Sequence, residues 1–428
     1  MNKKILSLAV AAALVAPGAA MAEAILYGKL NMSIDWADVT NVISQGSVFP
    51  GTIDPETGFQ TRPPIPDRDQ NFQGWGLNGG GYIPGEGRAN RIGIKGSEDL
   101  GNGLKAIYQV EFGIQMTEET RQLAATGANN SPTMRNSFLG LAGDWGTFLV
   151  GRHDTPLKIS TAKLDLFSDT MADYNGTVGF QDLRVDNAIA YISPSLAGFQ
   201  LMGAVHAGGG STVISSNGNI FADSIAEGYS IAGIYSNGPF YLSAAYEALG
   251  NDLYMDSTTV LLGDPIAIDP VTGDPIANPN FVGDDFSKWR IGLGLLDWNG
   301  FTLTAIYENQ DNLPAGQLWA QNGGVGFPVP EQKELWQVQA GYAFGNNMVK
   351  AMYGSGNNDN DFEASFDNVD TFKNSLEGDY YTWAIGFDHN FSKRTKAYVL
   401  YTQVDSDDAD VINGAQWDGF SLGMMHSF

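Results

Sequence analysis

Residues 336–344 read Trp-Gln-Val-Gln-Ala-Gly-Tyr-Ala-Phe. Trp336, Val338, Ala340, Tyr342 and Phe344 share one parity; Gln337, Gln339, Gly341 and Ala343 share the other. Successive side chains of a strand point to opposite faces, so this is a strand with one apolar, aromatic face and one small or polar face. The pattern recurs outward from there. Phe420, Leu422, Met424, His426 and Phe428 alternate with Ser421, Gly423, Met425 and Ser427. Tyr381, Trp383, Ile385 and Phe387 alternate with Thr382, Ala384, Gly386 and Asp388, and Phe301, Leu303, Ala305 and Tyr307 with Thr302, Thr304, Ile306 and Glu308.

A soluble β-sandwich gives the same alternation. Three features favour a membrane barrel instead. Tyr, Trp and Phe gather near strand ends on the apolar face, as an aromatic girdle requires. The opposite face carries Gly, Ser, Gln and charges, which suits a wet lumen. Connections alternate in length: short turns at 98–102, 142–145, 194–198, 237–238, 299–300 and 345–346 separate long acidic loops. Sixteen candidate strands start near Ala24, Asn90, Leu104, Met134, Gly146, Asn187, Phe199, Gly228, Pro239, Lys288, Gly300, Glu334, Asn347, Asp379, Arg394 and Gln416. An even number closes an antiparallel all-β barrel and removes the lipid-facing edge. A barrel of this size cannot fill its interior and leaves an aqueous channel.

The chain has 428 residues, 48 acidic against 23 basic, 53 glycines and no cysteine. Residues 1–22 have the form of a signal peptide: Lys3 and Lys4, an apolar run from Ile5, then Ala20-Met21-Ala22. Without those two lysines, 21 basic against 48 acidic residues leave a net charge of −27 for residues 23–428. So acidic a chain lacks the basic face that nucleic acid requires. Without cysteine there is neither a disulfide framework nor thiolate chemistry.

Two loops are unusually long. Residues 38–87 are rich in Gly, Pro and Asp, and residues 250–287 carry a near-repeat, Gly263-Asp264-Pro265-Ile266-Ala267 and Gly273-Asp274-Pro275-Ile276-Ala277. Such acidic turns offer ligands to Ca²⁺ or Mg²⁺ or a divalent bridge to lipopolysaccharide, although no stretch has the EF-hand spacing; residues 357–363 come nearest and lack its glycine. No other cofactor is expected. A third connection, 154–186, mixes Leu164, Leu166 and Phe167 with Asp165, Asp169 and Asp173. Apolar anchors suit either a loop folded into the lumen or a cap docked on the rim.

Several segments resemble Gram-negative general porins: Leu26-Tyr27-Gly28-Lys29-Leu30-Asn31, Arg91-Ile92-Gly93-Ile94-Lys95-Gly96, Gly151-Arg152-His153-Asp154-Thr155-Pro156, Val185-Asp186-Asn187-Ala188-Ile189-Ala190-Tyr191 and the ending Gly423-Met424-Met425-His426-Ser427-Phe428. Their order runs the length of residues 22–428. The resemblance implies a homotrimeric, 16-stranded barrel in the outer membrane, among lipid and lipopolysaccharide, passing small hydrophilic solutes and ions. It implies a third loop folded inward to face a ladder of basic residues. Lys29, Arg91 and Arg152 match wall positions of that ladder, and Arg135 and Arg184 are further candidates. Asp165, Asp169 and Asp173 supply the acidic side. Parity agrees for Lys29 and Arg91, which fall opposite Leu30 and Ile92. One wall arginine of some relatives is replaced by Ile192, and the first and fifth loops are expanded. Phe428 matches the terminal aromatic read by the outer-membrane assembly machinery.

Opposed charges across a wet slit orient dipolar solutes and disfavour apolar ones. The acidic balance of the loops predicts a mild cation preference that fades with salt. Two alternatives stand beside this reading. A substrate-specific channel for sugars, phosphate or organic acids would line its lumen accordingly; Tyr241 and Tyr398 fall on lumen parity. A barrel-anchored hydrolase would need a serine beside one of the four histidines, and there is no Gly-x-Ser-x-Gly or His-Glu-x-x-His motif.

Overall fold

The computed structural model describes residues 23–42, 48–49, 65–66, 70–79, 88–117, 132–207, 224–250, 267–268, 275–276, 286–311, 332–359, 378–406 and 416–428. Residues 1–22, most of loops 38–87 and 250–287, and residues 360–363 lie outside this set.

The chain forms a closed, antiparallel, 16-stranded barrel. Its spans are β1 (Glu23–Val42), β2 (Gln70–Asn78 and Arg91–Gly101), β3 (Leu104–Gly113), β4 (Thr133–Met134 and Ser137–Gly143), β5 (Gly146–Asp154), β6 (Arg184–Ile192), β7 (Phe199–His206), β8 (Gly228–Asn237), β9 (Phe240–Leu249), β10 (Phe286–Trp298), β11 (Phe301–Asp311), β12 (Gln332–Phe344), β13 (Asn347–Asp359), β14 (Gly378–Asn390), β15 (Thr395–Ser406) and β16 (Gln416–Ser427). Two spans are interrupted, so eighteen paired segments make sixteen strands. β16 pairs with β1 from Lys29↔Ser427 to Thr40↔Gln416, which closes the sheet.

Burial inverts the order of a soluble protein. Along β9, Phe240, Leu242 and Tyr246 are exposed while Ser243 and Glu247 are buried. A soluble core would do the reverse. Apolar side chains point out to lipid and polar ones into the lumen, so the outer surface is the greasy one. Outward aromatics pair across strands in two rows. Trp289–Tyr307, Trp336–Tyr353 and Trp383–Tyr401 form one, with ring centroids 5.0, 5.6 and 5.4 Å apart. Phe301–Tyr342, at 4.4 Å, belongs to the other. From Trp336 to Phe344 is roughly 26 Å along the strand, the scale of a ~25 Å apolar band before tilt.

The first expected loop, 38–87, is shorter than the sequence reading gave. β1 runs on to Val42, and Gln70–Asn78 is the first piece of β2, with Trp75 and Leu77 facing outward. Gly74 and Gly76 disguise this segment as loop. Within 250–287 a two-residue ladder joins the near-repeats, Ala267↔Ile276 and Ile268↔Pro275.

Candidate functional site

The connection 155–183 folds into the lumen. It opens with α1 (Pro156–Thr161), capped by the Thr155 side chain and carrying a proline in its first turn, and later forms α2 (Tyr174–Thr177), capped by Asp173. Leu157, Leu164, Phe167 and Val178 are completely buried. They dock on a track of lumen-facing glycines. A Cβ on Gly292 would meet Leu164, on Gly354 Val178, and on Gly386 Phe167. Polar ties fix the loop's backbone: Thr304 donates to the Leu164 carbonyl at 2.8 Å, Gln339 accepts from Leu166 N at 2.6 Å, and Lys350 donates to the Leu166 carbonyl at 2.7 Å. The lumen glycines therefore seat a loop rather than merely line a wet wall.

Arg290 holds both arms of this loop to β10 and β11. Its Nε donates to Glu308 at 2.5 Å, and its Nη1 to Thr161 at 2.8 Å on the outgoing arm and to Asp182 at 2.7 Å on the returning arm. The guanidinium lies 5.2 Å from the Phe180 ring centroid. Burial opposes ionisation of Asp182, but the Arg290 charge outweighs it and holds the carboxyl below its usual range.

The loop tip faces a basic wall. Lys29 ion-pairs with Asp169, and Asn31 Nδ2 donates to the Asp169 carbonyl at 2.6 Å. Next along the wall, Glu111 receives Arg135 Nε at 2.7 Å and Tyr27 Oη at 2.9 Å, with Arg91 Nε 3.7 Å away. Then Asp154 takes Arg184 at 2.9 Å and Lys158 at 3.1 Å, with Asn136 bridging Arg184 and Asp154. Burial raises the Asp169 carboxyl, yet Lys29, Arg91 and Arg135 together hold it below the ordinary range. Asp169 adopts φ 61°, a left-handed turn that aspartate tolerates.

Four of the expected basic residues, Lys29, Arg91, Arg135 and Arg184, therefore lie along one wall. Arg152 does not join them. It pairs in register with Ser137, its Nε donates to the Met134 carbonyl at 3.1 Å, and its ion-pair partner is the exposed Asp186 at 2.5 Å. Of the three expected acids only Asp169 reaches the wall. Asp165 is buried inside the loop, accepting from Phe167 N at 2.9 Å and Gln339 Nε2 at 2.8 Å. Burial pushes its carboxyl up to about 6 despite those bonds. Asp173 caps α2 and accepts from Asp169 N at 2.7 Å; burial, with the charges of Asp165 and Asp169, pushes it well above the usual range. Glu111 and Lys158 were missed. Glu111 was findable, since it falls opposite Val110 and Phe112 in parity.

The other flagged residues are covered. Tyr241 Oη donates to the Ser160 carbonyl beneath the loop, and Tyr398 Oη to Asn31, so neither faces an open track. Phe428 closes the seam: its N and O exchange backbone hydrogen bonds with Gly28, at 3.1 and 3.0 Å.

A closed barrel, greasy outside and polar inside, narrowed by a docked loop, defines an outer-membrane channel. The chain belongs to the Gram-negative porin family, whose profile matches residues 8–409. The major outer membrane protein P.IB of Neisseria meningitidis serogroup B is 28% identical over 314 residues, covering 72% of this chain and 75% of that one. A second P.IB sequence from that serogroup is 24% identical over 401 residues, covering 93% and 92%. Among solved structures, the anion-selective porin of Comamonas acidovorans superposes with a TM-score of 0.58 at 18% identity, covering 95% of this chain and 100% of the other. OmpF of Salmonella typhi gives 0.55 at 15%, covering 95% and 98%. The protein is thus an outer-membrane porin.

Proposed function

We propose that the channel passes small hydrophilic solutes and ions by passive diffusion, with a mild cation preference at low salt. The observation that carries this reading is the inward loop, whose Asp169 pairs with Lys29 on a wall that continues through Arg91 and Arg135 on Glu111 and Arg184 on Asp154. These opposed charges orient dipolar solutes, and an apolar solute has nothing to offer them in exchange for displaced water. The cation preference rests on the acidic balance at the mouth, which is felt only over a Debye length of ~10 Å at 0.1 M salt.

The eyelet itself favours a second reading. Lys29, Arg91, Arg135, Arg184 and Lys158 face Asp169, Glu111 and Asp154, five positive groups against three negative. A local excess of two positive charges draws anions, and the Comamonas relative is named as anion-selective. Reversal potential in a KCl gradient, measured at 50 mM and at 1 M salt in a planar bilayer, separates the two. Cation preference that vanishes at 1 M supports the mouth; anion preference at both supports the eyelet. No conductance from folded protein overturns diffusion and leaves a substrate-specific channel.

The protein is proposed to work as a homotrimer; one of the similar solved structures, from Vibrio cholerae, is described as a trimer form. Chemical cross-linking of purified protein tests this. Phe428 is proposed to be the residue the assembly machinery reads, since it remains 39% exposed just after β16.

A further inference from the structure

Lumen-facing residues of an open channel should be wet. On β1 they are not. Asn31, Ser33 and Asp35 are 0%, 2% and 7% exposed, and Ser421 beside them on β16 is fully buried. The inward loop accounts for Asn31 through Asp169 and lays Met171 against Gly419 of β16. Ser33 and Asp35 lie further along β1 toward the long-loop rim, and Arg88 bonds both of them. Its Nε donates to Ser33 Oγ at 2.8 Å and its Nη2 to Asp35, whose other oxygen accepts from Ser421 at 2.6 Å. Arg88 is itself 1% exposed.

Arg88 belongs to the excursion that interrupts β2. β1 pairs with the first piece as far as Ser33↔Asn78 and resumes with the second at Lys29↔Arg91. The break takes β2's backbone away from Asn31 N, and the Asn90 side chain fills in, accepting from Asn31 N at 2.5 Å and donating to the Gly79 carbonyl at 2.5 Å. Asn90 also accepts from Ile114 N at 3.0 Å, so the wall stays sealed. Between the two, Ala89 adopts φ 45°, a left-handed conformation uncommon for alanine. That turn lets Asn90 plug the seam while Arg88 reaches inward over β1. A strained residue between two anchored ones means the surroundings fix this geometry.

We propose that the returning arm 88–90 is a second inward element of the pore: a fixed shelf on the long-loop side of Lys29, pinned by Arg88 to Asp35, that narrows the path before a solute reaches the eyelet. Arg88 acts as a positioning residue. It is too buried to touch solute, and what it sets is how far the arm projects. This rests on the porin reading above, which conductance itself tests.

The chain has no cysteine, so Ala89→Cys places a single thiol on the shelf without disturbing either anchor. Ala89 is only partly buried. A bulky cationic methanethiosulfonate reagent, added to the long-loop side of a bilayer holding Ala89→Cys channels, should cut single-channel conductance by half or more, and more slowly or not at all from the other side. Unchanged conductance after complete labelling, verified by mass, overturns the shelf. The second measurement is polymer exclusion. Arg88→Gln should raise the polyethylene glycol size that enters from the long-loop side and leave the cut-off from the opposite side unchanged. Equal shifts from both sides would mean a general loosening of the barrel and would also overturn it. Folded wild-type protein with no conductance would instead sink the diffusion reading.

Discussion

The Lys29 ammonium on β1 ion-pairs with the Asp169 carboxylate at the tip of the inward loop, although 140 residues separate them in the chain. Arg290 holds the two arms of the same loop on the far wall, wholly out of water. The loop is therefore fastened at both ends, and the fastening at Lys29 is the more solvent-exposed.

Asp169→Asn should free the tip and leave the arms in place. The expected result is a folded barrel with noisier single-channel current and closure at lower applied voltage. Lys29→Ala should do the same, and the double variant little more, because both remove one pair. The wild type should acquire this behaviour in acid. A carboxyl held below its ordinary pKa stabilises docking above the usual carboxylate range, near pH 4, and that contribution is lost as pH falls through its depressed value. The part of the noise that Asp169→Asn adds should be absent from the wild type between pH 7 and 5 and appear only below ~4.

Asp165 and Asp173 act in the opposite sense. Their carboxyls are pushed up, so docking is favoured while they hold protons and loses that contribution as pH rises, through about 6 for Asp165 and through a value well above the usual carboxylate range for Asp173. Between them and Asp169 the loop is best seated in mildly acidic solution. Asp173→Asn keeps an N-cap and removes the charge. Its heat stability should exceed the wild type's at pH 8 and match it at pH 5, read as the temperature at which the folded barrel unfolds on a detergent gel.

Glu111 is the carboxylate shared by Arg91, Arg135 and Tyr27. Glu111→Gln should shift the permeability ratio toward anions, and Arg135→Gln toward cations. One charge ~8 Å from a passing ion in a hydrated slit alters its energy by about 0.5 kcal/mol, roughly a twofold change in the ratio. Reversal potentials of the two variants against the wild type check both signs.

Gly28 has no room for a side chain: a Cβ there would strike the Phe428 ring and come within 2.8 Å of the Arg91 carbonyl. Gly28→Val should weaken the seam by about 1–3 kcal/mol, the usual cost of overpacking. The unfolding temperature of the barrel should fall. Adding Phe428→Ala should recover only part of the loss, because the Arg91 carbonyl still blocks the valine.

The barrel was legible because strands carry a two-residue period. The sixteen expected starts fall within three residues of the observed spans, counting β2 from Arg91. Parity also placed Lys29 and Arg91 on the lumen side. It failed where the period breaks. Gln70–Asn78 hides behind two glycines, and the turn at Ala89 that brings Arg88 inward leaves no periodic trace. Inside the loop no period exists, so nothing in the chain distinguished Asp169, which meets the wall, from Asp165 and Asp173, which cap its turns. Arg152 matched the ladder by its neighbours in sequence, yet its guanidinium turns to Asp186 and the Met134 carbonyl.

Because β16 lies against β1, the first span gains its neighbour on that side only when the last is available. Ser427 pairs with Lys29, some four hundred residues upstream, so closure of this seam carries a large loop-closure entropy. Until β16 is in place, β1 therefore keeps an unpaired edge on that side.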